Sequence, residues 1–232
     1  MARRLFFISA VDDGSVVLRG DEAKHLSRVL RVEPGQVYEL SDNRQKYLGK
    51  VTAVDKDAVH FEIIETLPAE RDTPTIHLYV AIIKFEHFEW GIEKATELGV
   101  DRIVPVQAAR TEHGLDKAVA KRMERWHRIV IESSQQSRRT FLPELGEPMR
   151  FRDVVAQAAG MRIILDENRE GQKLAELGKA GDPISLLIGP EGGWTDEERT
   201  LASSAGWKAA SLGPRILRAE TAWLAALAIL RA

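Results

Sequence analysis

The 232-residue chain contains no cysteine. That absence excludes disulfides, thiolate nucleophiles, iron–sulfur clusters and cysteine-ligated zinc together. No run of about 18 apolar residues occurs, so no membrane-spanning helix is expected. The start, Met1-Ala2-Arg3-Arg4-Leu5, lacks a long apolar stretch and a cleavage site. No secretory signal is expected there, and the default location is the cytoplasm. The six histidines show no paired ligand spacing, so no metal is expected. An excess of positive charge is missing too: 33 Lys and Arg stand against 35 Asp and Glu, for a net charge of −2. Any contact with nucleic acid must come from a local cluster of Lys and Arg, because phosphate binding follows local density. No internal repeat or low-complexity tract is visible. What remains, 44% hydrophobic and 29% charged, is ordinary for a globular protein, and the length allows two domains.

Two textures divide the chain. Residues 1–70 are β-rich, with strand-like runs at Ser15 to Leu18, Gln36 to Leu40, Lys46 to Val54 and Ala58 to Ile64. One helix-like interlude, Asp21 to Arg31, puts Ala23, Leu26, Val29 and Leu30 on one face. A small barrel is expected. The charged stretch Pro68 to Pro74 reads as a linker. After it, strands and helices alternate. Strands are expected at Ile76 to Ile83, Arg102 to Gln107, Arg162 to Leu165, Ile184 to Ile188 and Ala209 to Leu212. Helices are expected at Phe88 to Leu98, Leu115 to Gln136 and Glu220 to Leu230. Such alternation implies an α/β fold with a mostly parallel sheet.

Two stretches near the end carry most of the chemical information. Leu187-Ile188-Gly189-Pro190-Glu191-Gly192-Gly193-Trp194 follows an apolar run, and Thr195 to Glu198 then has the form of a capping box. Leu212-Gly213-Pro214-Arg215-Ile216-Leu217-Arg218-Ala219-Glu220-Thr221-Ala222 lies roughly 25 residues further on. Glycines let backbone amides approach a ligand, and loops at the carboxyl ends of parallel strands make a crevice. Read alone, Gly192-Gly193 is equally a tight strand-to-helix turn; two such loops together point to one site.

These motifs resemble the SPOUT methyltransferases, which have a knotted C-terminal domain. More narrowly, they resemble the bacterial family that methylates N3 of a uridine in 16S ribosomal RNA. Arg4-Leu5-Phe6-Phe7, His25 to Arg31 and Lys94 to Val100 match in the expected order, so the resemblance covers nearly the whole chain. It implies a PUA-like RNA-binding barrel over 1–70 and a knotted, mostly parallel α/β methyltransferase domain over 74–232. The cofactor it implies is S-adenosylmethionine, held by Leu165, Gly189, Glu191, Gly192, Leu212, Ile216, Leu217 and Arg218. It also implies a homodimer, with Ala222, Trp223, Ala226, Leu227 and Leu230 giving the last helix an apolar face for a core or a partner. The target is 16S ribosomal RNA, either free or in an assembled small subunit.

Uridine N3 carries a proton and is a poor nucleophile until that proton leaves. A base must remove it, or a cation must stabilise the charge spreading onto the flanking carbonyls. Arg218 suits the second role and Glu191 or Glu220 the first. Glu220 alternatively only complements the dipole of the last helix, and Arg218 a surface salt bridge. For RNA contact, Arg125 lies on the basic helix with Lys121, Arg122, His127 and Arg128. The run Gln135-Gln136-Ser137-Arg138-Arg139 follows, and the family pattern is matched at Gln136, Ser137 and Arg139. At Arg138 glycine is common, and at Gln135 glutamate. Arg110 matches a family arginine, and Arg3, Arg4, Lys24, His25, Arg28 and Arg31 form a second basic group. Departures occur at Lys84 to His87 and at Asp166-Glu167, where the family has His-Pro after the leucine. Two rivals stay open: a SPOUT enzyme acting on a ribose 2′-hydroxyl or a tRNA base, and a non-catalytic RNA-binding protein of the same fold.

Overall fold

The structure, a computed structural model, describes residues 4–167, 172–177 and 182–232. Arg3 of the basic N-terminal group lies outside the described residues. The chain forms two compact units, Met1–Arg71 with Ser134–Leu142, and Asp72–Ser133 with Pro143–Ala232.

The first unit holds β1 (Leu5–Phe7), β2 (Ser15–Arg19), α1 (Gly20–Lys24), β3 (Val37–Ser41), β4 (Lys46–Val54) and β5 (Ala58–Leu67). The five strands make one sheet in the order β1-β3-β4-β5-β2, antiparallel except for β1 beside β3. Register shifts in β4, at Leu48/Gly49 and Val51/Ala53, bend it. The sheet curls over a core of Phe6, Val16, Leu18, Leu26, Leu40, Val59 and Phe61. The expected small barrel is thus a curled sheet. The alternation of β2, exposed-buried through all five residues, is what made it legible. The expected helix from Asp21 differs. After α1 the chain widens into a π turn over His25–Val29, where Leu30 N–H donates to His25 O, and Arg31 then adopts φ +51°.

A charge cluster around the buried Glu39 ties Ser134–Leu142 into this unit. Glu39, on β3, has a side chain only 6% exposed; Lys46 Nζ lies 2.7 Å from its Oε2, and the Arg138 guanidinium donates to both its oxygens. Arg138 sits at φ +60°, the left-handed region where a side chain costs roughly 1–2 kcal/mol and glycine costs nothing. The ion pair offsets that cost. Ser41 Oγ donates to Thr140 O, and Leu142 N–H to Asn43 Oδ1.

The second unit holds β6 (Ile76–Ala81), α2 (Phe85–Glu97), β7 (Arg102–Gln107), α3 (Leu115–Ala118), α4 (Met123–Ser137, whose last turn belongs to the first unit), β8 (Glu144–Leu145), β9 (Met149–Arg150), α5 (Phe151–Gln157), β10 (Met161–Leu165), β11 (Gln172–Lys173), β12 (Ile184–Ile188), α6 (Asp196–Ser204), β13 (Lys208–Ser211) and α7 (Ala219–Arg231). Its sheet is parallel throughout, in the order β11-β13-β10-β12-β6-β7-β8, with β9 also on β7. β12 is buried at all five positions, as a strand covered on both faces must be. Phe151, Val154, Ala202 and Trp207 of the α5–α6 side pack with Tyr79, Val104 and Leu187. Elsewhere α7 packs on α2 through Trp223, whose ring occupies the space a Cβ at Gly91 would need. Phe88 stacks on Trp126 at 4.5 Å and meets Trp223 edge-on at 5.1 Å. Trp223, Ala226, Leu227 and Leu230 are all buried this way. The single helix expected from Leu115 to Gln136 is α3, a 3₁₀ turn over Val119–Lys121, and α4. Among the described residues no helix is long and apolar enough to cross a membrane.

The Glu39 cluster has a pH signature. Burial pushes its carboxyl up, but the bonds and charges of Arg138 and Lys46 outweigh that and hold it below the ordinary value of 4.5. A depressed carboxylate stabilises the fold above that range and stops doing so as pH falls. Glu39→Gln is therefore expected to cost about 1–3 kcal/mol at neutral pH. The gap from wild type in urea unfolding should close as pH is lowered through and below 4.5. A gap independent of pH would contradict this.

Candidate active site

The carboxyl ends of three adjacent strands, β13, β10 and β12, open on one cavity of about 410 Å³. Its wall is built from Leu165 to Glu167 after β10, Ile188 to Gly193 after β12, and Ala210 to Ala219 (except Pro214) with Ala222 after β13. All eight residues expected to hold a cofactor line it: Leu165, Gly189, Glu191, Gly192, Leu212, Ile216, Leu217 and Arg218.

Trp194 braces two of these loops from beneath the lining. Its ring is fully buried, and its Nε1 donates to Leu165 O at 2.8 Å, which joins the loop after β12 to the end of β10. A Cβ at Gly189 would lie 3.0 Å from that ring, so glycine there lets the indole pass beneath the backbone. The left-handed residue of the glycine pair is Gly193, at φ +69°, and a Cβ there would strike Glu167. Gly192 is not at positive φ; a Cβ on it would meet the Arg110 side chain at 3.3 Å. The capping box expected at Thr195 is present: Glu198 N–H donates to Thr195 Oγ1 at 3.2 Å, and Thr195 N–H to Glu198 Oε2 at 2.9 Å.

The acidic pair at the cavity edge, where the family pattern departs, is held by α6. Arg199 donates to Asp166 Oδ2 at 2.8 Å and to Glu167 Oε1 at 2.7 Å. The Asp166 hydrogen bond, reinforced by both carboxylates, holds Arg199 more firmly protonated than usual. Arg215 and Arg218, also on the lining, are exposed, and their side chains form no hydrogen bond or ion pair among the described residues. Arg218 is the N-cap residue of α7, and Ile216 beside it is 76% exposed. Glu191 lines the cavity and is exposed. Glu220 does not line it: its carboxylate is buried, 3.5 Å from His87 Nδ1.

The residues expected to meet RNA fall in both units. Arg4, Arg28 and Arg31 are exposed in the first, as are Gln136 and Arg138, while Arg139 is partly buried. Arg138 is engaged by Glu39. In the second unit, Arg125 Nε donates to Glu89 Oε2 at 2.8 Å, and Arg110 Nη1 donates to Gly192 O at 2.6 Å. Three contacts were not read from sequence: Trp194 on Leu165, Arg110 on Gly192 and Arg138 on Glu39. The glycine common at position 138 in the family is the one sequence signal that bears on them. Among the described residues no group of His, Asp and Glu could hold a metal ion.

A family model for the RNA methyltransferase domain matches residues 70–231, and one for the RNA methyltransferase PUA domain matches residues 18–64. The ribosomal RNA small subunit methyltransferase E of Aquifex aeolicus is 33% identical over 216 residues, 93% of either chain. The chain belongs to the family of ribosomal RNA small subunit methyltransferase E. The Bacillus subtilis member is 32% identical, with 90% of this chain and 87% of that one aligned. The crystal structure of the Neisseria gonorrhoeae member, bound to S-adenosyl methionine, superposes with a TM-score of 0.90 at 31% identity, covering 98% of this chain and 96% of that one. The fold class expected from sequence, a parallel α/β domain with a PUA-like N-terminal domain, is that of the family.

Trp194→Phe deletes the indole N–H together with the five-membered half of a fully buried ring, so it leaves the Leu165 carbonyl unpaired and opens a cavity. It should cost about 2–5 kcal/mol in urea unfolding. A loss well under about 1 kcal/mol would contradict the role given to this ring.

Proposed function

We propose that this chain is an S-adenosylmethionine-dependent methyltransferase that methylates N3 of a uridine in the 16S ribosomal RNA of the small subunit. The observation that carries this is the convergence of three strand-end loops on one cavity whose rim bears two unpaired guanidiniums. The cofactor reading is supported by fit. The volume lies within the range for ligand sites, roughly 300–1,000 Å³. Leu212, Leu217 and the exposed Ile216 offer apolar cover for an adenine ring, and the glycine loops offer backbone donors and acceptors at its edge. The cofactor supplies an activated methyl group on a sulfonium.

The chain's own residues then have two tasks. One is to place the nucleophile in line with the S–CH₃ bond, which breaks as the N3–CH₃ bond forms. The other is to deal with the N3 proton and the charge it leaves behind. Arg218, with its planar fork unpaired at the cavity rim, is suited to hold the charge on a uracil carbonyl. Of the two carboxylates considered as base, Glu191 has the supporting position; Glu220 lies against His87 instead. Gln136, Arg138, Arg139, Arg4, Arg28, Arg31, Arg110 and Arg125 remain the proposed RNA contacts, with Arg125 and Arg138 already sharing their charge with glutamates. The implied knot, domain limits, homodimer and cytoplasmic location belong to the same proposal, and sedimentation tests the dimer.

Calorimetry should show S-adenosylmethionine binding to the wild type. Gly193→Ala should weaken it more than Gly192→Ala, because only Gly193 combines positive φ with a blocked Cβ. Equal losses would remove that distinction.

Arg218→Ala should lower kcat by roughly 10²–10³, far more than it weakens the binding of either ligand, the loss typical of one electrostatic stabiliser. Lysine should rescue only partly, lacking the fork. Higher pH should restore some activity to the alanine variant, because more uridine is then ionised. A normal kcat with a raised KM for RNA would make Arg218 a binding residue.

A further inference from the structure

Three arginines are engaged by carboxylates: Arg125 by Glu89, Arg138 by Glu39, and Arg199 by Asp166 and Glu167. Arg110 does not. It is exposed, forms no ion pair among the described residues, and donates one N–H to a neutral acceptor, Gly192 O, at 2.6 Å. A guanidinium has five N–H donors, so four are left for another partner.

The backbone behind Arg110 is fixed. Ala109 N–H donates at 2.8 Å to Glu198 Oε1, on a glutamate that is 7% exposed and whose other oxygen closes the cap of α6. Ala108 N–H donates to Thr111 Oγ1 at 3.0 Å, and Thr111 N–H returns to Ala108 O at 3.1 Å. From that anchored turn the side chain reaches across to the loop after β12. Its Cδ and Cβ lie 3.3 and 3.4 Å from where a Gly192 Cβ would stand. Gly192 in turn lines the cavity.

We propose that Arg110 is a positioning residue that couples the two ligands of this site: one edge of its guanidinium orients the Gly192 carbonyl of the cofactor loop while the other binds an RNA phosphate. The inference rests on the proposed reading that RNA and S-adenosylmethionine both bind here. An unpaired planar fork is the group that holds a phosphate bidentately. Whichever ligand first orders the Arg110–Gly192 contact spares the other that ordering cost, so the effect is reciprocal.

Equilibrium dialysis with labelled S-adenosylhomocysteine, which has no methyl group to transfer, reads the coupling without turnover. Its affinity is measured alone and with saturating unmethylated 16S ribosomal RNA, both free and as assembled small subunits. In the wild type the RNA should tighten binding about fivefold or more. Arg110→Gln keeps an amide that can reach Gly192 O but removes the charge. It should bind S-adenosylhomocysteine alone as wild type does and show no tightening by RNA, while Arg110→Lys should recover part of it. The same tightening in Arg110→Gln, or none in a wild type that binds both ligands, overturns the inference and leaves the proposed function standing. A wild type that binds neither form of the RNA overturns both.

Discussion

The site depends on one buried indole. Trp194 stands where the loop after β12 turns into α6, and its N–H reaches the last carbonyl of β10. Without it, the Leu165 carbonyl at the end of β10 would need another partner, since a buried carbonyl left unpaired is costly. With it, the end of β10 and the loop after β12 are joined through Trp194 and Leu165. Gly189 is glycine because the ring passes under it, and Phe151 of α5 closes the ring's far side at 5.1 Å. The apolar core on that side of the sheet and the ligand-facing loops are therefore continuous, and a change in one is felt in the other.

Charge is sorted rather than accumulated. The chain carries slightly more acid than base, yet the basic residues differ sharply in what they face. Arg125, Arg138 and Arg199 are neutralised by carboxylates and serve to hold helices, loops and strands in place. Arg110, Arg215 and Arg218 meet no carboxylate among the described residues, and two of these three line the cavity. Unpaired guanidiniums around a concave site favour an anionic partner, and a phosphate chain with an ionised base is one.

Much of this was legible because its signals are local. The loops after β12 and β13 announced themselves through Gly189-Pro190 and Gly213-Pro214, and the capping box through Thr195 and Glu198. β12 was readable as an unbroken apolar run. Other features were hidden because they are tertiary. Arg110 and Gly192 are 82 residues apart, and Glu39 and Arg138 are 99 apart; no window on the sequence contains both partners. α5 was not anticipated: its seven residues give an apolar face only two turns long. The helix expected from Leu115 breaks at Val119–Lys121, a 3₁₀ turn of three residues too short to interrupt the apolar pattern read along the sequence. Glu220 looked like a candidate base by position alone, and only the structure shows His87 beside it.

The proposed reaction puts a methyl group on uridine N3. That position lies on the pairing edge of the base, so its methylation blocks reverse transcription, whereas a 2′-O-methyl group leaves pairing intact. Primer extension on 16S ribosomal RNA from a strain lacking this protein, after incubation with the purified chain and S-adenosylmethionine, is the most direct test. One new stop is expected, at a single uridine and dependent on the cofactor. Full-length extension with a methyl group recovered on a ribose, or no methyl group at all, would contradict it.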